Sequence, residues 1–293
     1  MSDDLLNTAL KKIEELHSRR FVDSLSPLIE KLSSKLSAGN RREFLKALGG
    51  NSREKRYQRY AEIHLCQYLE EVFDMVECPE DPADFCLTDS KCLIQVTAPE
   101  PGQLESVVEY AKPINEFSVK EVPTDGVVFK YRDALEKKQN DFQKKIDQGK
   151  ISPDTCLVIA ISPILFSEPP WAGLGHNSYD FPYITKALFP IGEKYFWMEP
   201  KTGRSGSGTA RKETVPSVGG APLQKNLFLD DRGNHISAAI AFGPEEGWCD
   251  LWRPIVVHNP NATNSLPDQF FPNPLSEYRV EKSHNGFVVK KIA

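Results

Sequence analysis

Asp84-Phe85-Cys86-Leu87, a polar break over Thr88 to Lys91, and Cys92-Leu93-Ile94-Gln95-Val96-Thr97 form the stretch that decides the fold. Both halves are short and rich in residues that suit a pleated, half-buried surface. They read as two strands joined by a tight turn. A carboxylate, Asp84, opens the first strand. Period-two spacing sets Gln95 and Thr97 on one face of the second.

The pattern changes on either side of this pair. Upstream, Ser52 caps a helix that runs through Tyr60, Ile63, Leu65, Tyr68 and Leu69 to about Val72. Phe73 to Cys78 can form a strand, and residues 79–83 a loop. Downstream, Thr97-Ala98-Pro99-Glu100-Pro101-Gly102 ends the second strand. Leu104 to Ala111 reads as a short helix and Val127-Val128-Phe129 as a short strand. Tyr131 to Ile146 is a helix with Ala134, Leu135, Phe142 and Ile146 inward. Cys156 to Ile164 is nearly all apolar, as in a strand buried on both faces.

Residues 4–50 are helical in character. Leu5, Leu6, Ala9, Leu10, Ile13 and Leu16 recur at helical spacing, and Phe21, Leu25, Leu28, Ile29, Leu32 and Leu36 continue in a second helix. Pro27 is tolerated if it lies near that helix's start. Arg41 to Leu48 forms a third piece, which Gly49-Gly50 stops. The division expected is a helical N-terminal extension over 1–50 and an α/β domain over 51–293, with a long insertion at about 166–222.

The insertion is rich in Pro and Gly. It holds a short helix over Tyr183 to Phe189 and a strand-like Lys194 to Met198. Gly203-Arg204-Ser205-Gly206-Ser207-Gly208 lacks the Gly-Lys-Ser/Thr ending of a phosphate loop and reads as a surface loop. Trp171, Tyr179, Phe181, Tyr183, Tyr195, Phe196 and Trp197 could stack on bases. The alternative, which the reading favours, is that they fasten the insertion to the core. His235 to Phe242, Pro254 to His258 and Phe287 to Ile292 are further strands.

At 293 residues the chain is long enough for one large domain or two small ones. No apolar run approaches the roughly 20 residues that span a bilayer. The acidic Met1-Ser2-Asp3-Asp4 start is unlike a signal peptide, so a cytoplasmic protein with no membrane partner is expected. Six cysteines (66, 78, 86, 92, 156 and 249) show no spacing suited to zinc and read as buried free thiols. His176, His235, His258 and His284 are scattered, and no Gly-x-Ser-x-Gly elbow supports a serine hydrolase. Net charge is −5, which argues against a dedicated basic nucleic-acid module. The basic residues are clustered, however. Arg41, Arg42, Lys46, Arg53, Lys55, Arg56 and Arg59 form one group, and Lys137, Lys138, Lys144 and Lys145 another. Each cluster fits either a local groove or a solvated helix face.

The order helix, three strands, helix, strand over about residues 52–164 resembles the core of the restriction-endonuclease-like, or PD-(D/E)XK, superfamily. The resemblance implies an α/β fold: a mixed sheet flanked by helices, here with the helical extension before it and additional C-terminal strands after it. It also implies a nuclease acting on DNA or RNA, with Mg²⁺ or Mn²⁺ as cofactor, as found in defence against foreign nucleic acid. The matching positions are Glu62 on the helix, Asp84 at the first strand, Gln95 at the acid position and Thr97 at the lysine position. Asp84, Glu62 and Gln95 would be the metal ligands, since Mg²⁺ takes hard oxygen donors. Thr97 cannot replace a cation, so Lys138 or Lys144 from the next helix would supply it. Gln95 and Thr97 depart from the family pattern together. That leaves open a catalytically inactive, nuclease-like domain that binds nucleic acid or a protein partner. An unrelated α/β interaction protein is a third reading.

Overall fold

The computed structural model describes residues 2–17, 19–79, 81–112, 122–166, 181–217, 221–243, 253–283 and 286–293. The fold is mixed α/β, with an eight-stranded mixed sheet between two helical layers. Trp171, His176, Tyr179, Cys249 and His284 lie outside the described residues.

Three helices open the chain: α1 (Ser2–Leu16), α2 (Arg19–Lys35) and α3 (Ala38–Gly49). α2 begins earlier than its apolar spacing suggests, so Pro27 sits inside the helix and not near its start. α3 is capped by the Ser37 hydroxyl, which accepts from Asn40 N–H. At the other end of α3, Arg56 donates to the carbonyls of Leu48 and Gly50, at 3.2 and 2.5 Å. Helix C-termini leave such carbonyls without partners. One member of the first basic cluster is therefore a buried structural cap. α4 (Arg53–Val72) starts where the Ser52 side chain accepts from Lys55 N–H at 3.2 Å.

β1 (Val76–Glu77), β2 (Phe85–Leu87) and β3 (Cys92–Thr97) form an antiparallel meander. α5 (Glu105–Ala111) and α6 (Thr124–Asp147) lead to β4 (Cys156–Ile161), which lies parallel to β3. The short strand expected at Val127 to Phe129 is instead part of the first two turns of α6. A run of three apolar residues has no period of its own. Here Val127 and Val128 are buried on the sheet side of a 24-residue helix.

The remaining strands extend the sheet beyond β4: β9 (Ala238–Ala241), β10 (Ile255–His258), β11 (Ser276–Ser283) and β12 (Gly286–Lys291). α7 (Tyr183–Leu188) packs on α6. Two small ribbons stand apart from the sheet: β5 (Ile191–Met198) with β6 (Ser205–Arg211), and β7 (Thr214–Val215) with β8 (Leu223–Gln224). The stretch around Gly203 to Gly208, expected to be a loop, is thus largely the paired strand β6.

β3 and β4 are buried on both faces. Ile94, Val96, Val158 and Ala160 face α1–α4, whereas Leu93, Leu157, Ile159 and Ile161 face α6 and α7. The first core is continuous from Ala9 and Ile13 through Tyr60 to Phe271. Residue 50 marks a change in sequence character, not a gap in packing. Among the described residues no helix is long and apolar enough to cross a membrane. Cys66, Cys78, Cys86, Cys92 and Cys156 are free thiols as expected, but only Cys66 and Cys92 are buried, whereas Cys78, Cys86 and Cys156 are half-buried.

Candidate functional site

The end of β3 runs past the start of β2. Ile94, Val96 and Ala98 direct their backbone polar groups toward the β2 side, where Ile94 O accepts from Asp84 N–H at 3.1 Å. Beyond that point no strand among the described residues pairs with this edge, and buried backbone groups need partners. Two side chains fill in. The Asp84 carboxylate accepts from Val96 N–H at 2.7 Å. The Gln58 carbonyl accepts from Ala98 N–H at 2.7 Å, and its amide reaches Val96 O at 3.4 Å.

Glu62 stands one turn along α4 from Gln58. Its carboxylate accepts from Gln58 at 3.1 Å and, with both oxygens, from Arg59 Nη1 at 2.8 and 2.6 Å. Burial pushes the Glu62 pKa up. Arg59 pulls it back without cancelling the effect, and the Asp84 charge adds to the upward shift. Glu62, Asp84, Arg59 and Glu43 line one cavity of about 190 Å³ between the helical layer and the β2 edge. A more open groove of about 650 Å³ shares Glu43 and Arg59 with it and is bordered by Lys46, Lys55 and Gln58.

Gln95 does not join this cavity. It pairs in register with Ile159, whose side chain faces α6. Its amide donates to Asp141 Oδ2 at 2.7 Å and to Pro82 O at 3.3 Å, while its own carbonyl oxygen is buried with no partner. The sequence correctly pairs Gln95 with Thr97, but both share the α6 side of the sheet whereas Glu62 comes from the α4 side. The expected trio of Asp84, Glu62 and Gln95 is therefore a pair.

Neither Lys138 nor Lys144 lines the cavity. Lys144 is exposed, and Lys138 lies near Asp141. The lysine that reaches the strand pair is Lys145, which donates to Pro82 O at 2.7 Å and pairs with Asp141 at 2.8 Å. Burial pushes Asp141 up, but hydrogen bonds from Lys145 and Gln95 outweigh it and hold its pKa below the usual carboxylate value. Asp141 precedes Lys145 by four residues, a spacing that places an ion pair on one helix face.

A second group escaped the sequence reading. His258, Asp268 and Glu277 bring potential ligand atoms within 4.8 Å of one another. His258 and Glu277 are only 2% and 1% exposed, and His258 Nε2 lies 2.5 Å from Glu277 Oε1. Glu277 also accepts from Gln269 N–H with both oxygens, at 3.0 and 3.1 Å, and Asp268 is paired with Arg279. Burial lowers the His258 pKa despite the opposing pull of Glu277. The three residues lie on unrelated segments with no spacing signal to link them.

No protein-family model matches the chain, and neither the curated proteins nor the solved structures compared with it yield a match.

Proposed function

We propose that this chain is a restriction-endonuclease-like phosphodiester hydrolase acting on DNA or RNA, with Mg²⁺ or Mn²⁺ held by Asp84 and Glu62. One observation carries the reading: Glu62 from α4 and Asp84 from the head of β2 meet on one cavity. The setting supports it, because α4, the β1–β3 meander, α6 and the parallel β4 follow the order the resemblance calls for.

The donors suit a hard divalent cation. Both are carboxylates, and with Glu43 against the single guanidinium of Arg59 the cavity carries an excess of negative charge. A Glu62 pKa raised partly by the Asp84 charge is what a cation between them would relieve. Bound there, the ion would acidify its water and polarise a phosphodiester oxygen. The chain's own residues would do the positioning. Val96 N–H fixes Asp84 and Arg59 orients Glu62, and the groove along which a nucleic-acid backbone would approach is lined by Lys46, Lys55 and Arg59 together with Glu43, Glu54 and Glu100. A role in defence against foreign nucleic acid follows from the resemblance alone.

A second reading is a nuclease-like domain that binds nucleic acid or a protein without cleaving. It is favoured by Gln95 being engaged with Asp141 and by the cavity lining holding no lysine among the described residues. Incubation with plasmid, single-stranded DNA and RNA in Mg²⁺ or Mn²⁺ separates the two. Asp84→Asn is the matched control, since it keeps an acceptor for Val96 N–H and removes the charge. Metal-dependent cleavage that Asp84→Asn abolishes is the expected result. If no substrate is cut with either metal, the second reading stands. If calorimetry also finds no Mn²⁺ uptake, the cavity is not a cation site.

A further inference from the structure

The β5–β6 ribbon exposes large apolar side chains on both faces. Tyr195 and Trp197 are each 50% exposed, Phe196 79% and Met198 71%. Alternation along β5 places Tyr195 and Trp197 on one face and Phe196 and Met198 on the other. Phe181 and Tyr183 do fasten the insertion to the core, but the aromatic run on β5 does not.

The strand opposite explains how the rings are held. Tyr195 pairs with Gly208 and Trp197 with Gly206. A Cβ on Gly206 would meet Cε2, Cζ2 and Nε1 of Trp197 at 2.8 to 2.9 Å, and one on Gly208 would meet Oη and Cζ of Tyr195 at 2.6 and 2.7 Å. Each ring therefore packs closely against its glycine while staying half exposed, and a ring held in place at the surface offers a stacking platform.

The charge is also local and one-sided. From Ile191 to Arg211 the ribbon carries four basic residues (Lys194, Lys201, Arg204 and Arg211) against Glu193 and Glu199, and Glu193 is paired with Lys186 outside the ribbon, in a chain of net charge −5. Arg211 is paired with Glu213. Lys201 and Arg204, at the turn, have no acidic partner among the described residues. Exposed aromatic rings beside basic side chains fit unpaired bases joined by phosphates.

We propose that the β5–β6 ribbon is an arm that grips single-stranded nucleic acid, with Tyr195, Phe196 and Trp197 stacking on bases and Lys201 and Arg204 meeting the phosphates. The proposal rests on the nucleic-acid side of the reading above and not on cleavage. The arm's root shares a cleft with Phe287, Val288 and Val289 of β12, at the opposite edge of the sheet from β1 and β2. It is therefore separable from the Glu62–Asp84 cavity.

The test is fluorescence anisotropy of labelled oligothymidylate and oligouridylate, about 20 nucleotides each, in EDTA so that nothing is cut. Wild type is compared with Phe196→Ala/Trp197→Ala, with Lys201→Glu/Arg204→Glu and with Trp197→Phe. All of these positions are exposed, and circular dichroism checks that each variant folds. The expected result is salt-sensitive binding of single strands. It should weaken about tenfold or more in the first two variants and be retained when Phe replaces Trp197. Four outcomes overturn the proposal: no binding by wild type, equal affinity in the alanine variant, preference for blunt duplex over single strands, or arm variants that change only self-association. Arm-dependent binding without Mg²⁺-dependent cleavage upholds the arm and removes the hydrolase. Cleavage with arm-independent binding does the reverse.

Discussion

Asp84→Ala removes the acceptor of Val96 N–H at a point where no backbone group can replace it. A cost of about 1–3 kcal/mol in urea unfolding is expected, and Asp84→Asn should recover most of it. Asp84 thus has a structural duty whatever its chemical one, and loss of activity in the alanine variant alone would say little. Histidines set a second residue-scale outcome. Burial lowers the pKa of His64 to about 3 and that of His17 to about 4, with Arg56 adding to the shift for His17. A histidine with a depressed folded-state pKa stays neutral in the fold. Its stability is complete above about 6.5 and is lost as pH falls toward the folded value. His64→Leu should therefore flatten the fall in stability below about pH 6.5, by up to about 1.4 kcal/mol per pH unit. An unchanged slope in urea titrations at several pH values would refute it. The resemblance to the nuclease core singled out Glu62 and Asp84, together with Gln95. Period-two spacing showed that Gln95 and Thr97 share a face, but not which helical layer that face meets. Lys145 was passed over for its neighbours because its partners, Pro82 O and Asp141, become visible only once α6 crosses the strand pair.

Among the elements, α5 and α6 are fitted at one glycine. A Cβ on Gly126 would lie 2.6 Å from Val107 Cγ2 and 3.3 Å from the Ser106 hydroxyl. Val107 is fully buried, so it has little room to yield. Gly126→Ala gains about 1 kcal/mol of helix propensity, but overpacking costs about 1–3 kcal/mol. Net destabilisation is expected, and a rise in melting temperature would show that α5 can move aside. Elements with a strong pattern were readable: β4 from its unbroken apolar run, α4 from Ser52 and its periodic apolar face. β11 was missed because Ser276-Glu277-Tyr278-Arg279-Val280-Glu281-Lys282-Ser283 is mostly polar; one of its acids, Glu277, is buried against His258. β6 was missed because its glycines signal a loop until the Tyr195 and Trp197 rings lie over them.

For the whole molecule, α1–α3 complete a layer. Ile13, Leu25, Ile29, Leu45 and Leu48 are buried in the same core as Ile94, Val158 and Ile240. A chain beginning at residue 51 uncovers that face of the sheet. Burying an aliphatic side chain contributes about 1.5–3 kcal/mol, and a folded domain has only about 5–15 kcal/mol in hand. The truncated chain should aggregate or lose its near-ultraviolet circular dichroism; a monomeric, cooperatively unfolding fragment would mean that the helices are dispensable. The helical extension was legible in sequence, but its role as one wall of the cavity was not, because Glu43 and Arg59 come together only when α3 packs on α4.

β3 extends beyond β2 with no described strand on that edge, although β4 pairs with its other edge throughout, and an unpaired strand edge is a template for association with another chain. Asp84 and Gln58 already occupy the donor and acceptor positions that an incoming strand would use. The side chains that line the cavity, Asp84, and the adjoining groove, Gln58, therefore shield the molecule from edge-to-edge polymerisation. Asp84→Ala would also open a seam for self-assembly, which Asp84→Asn, by keeping the acceptor, would leave closed.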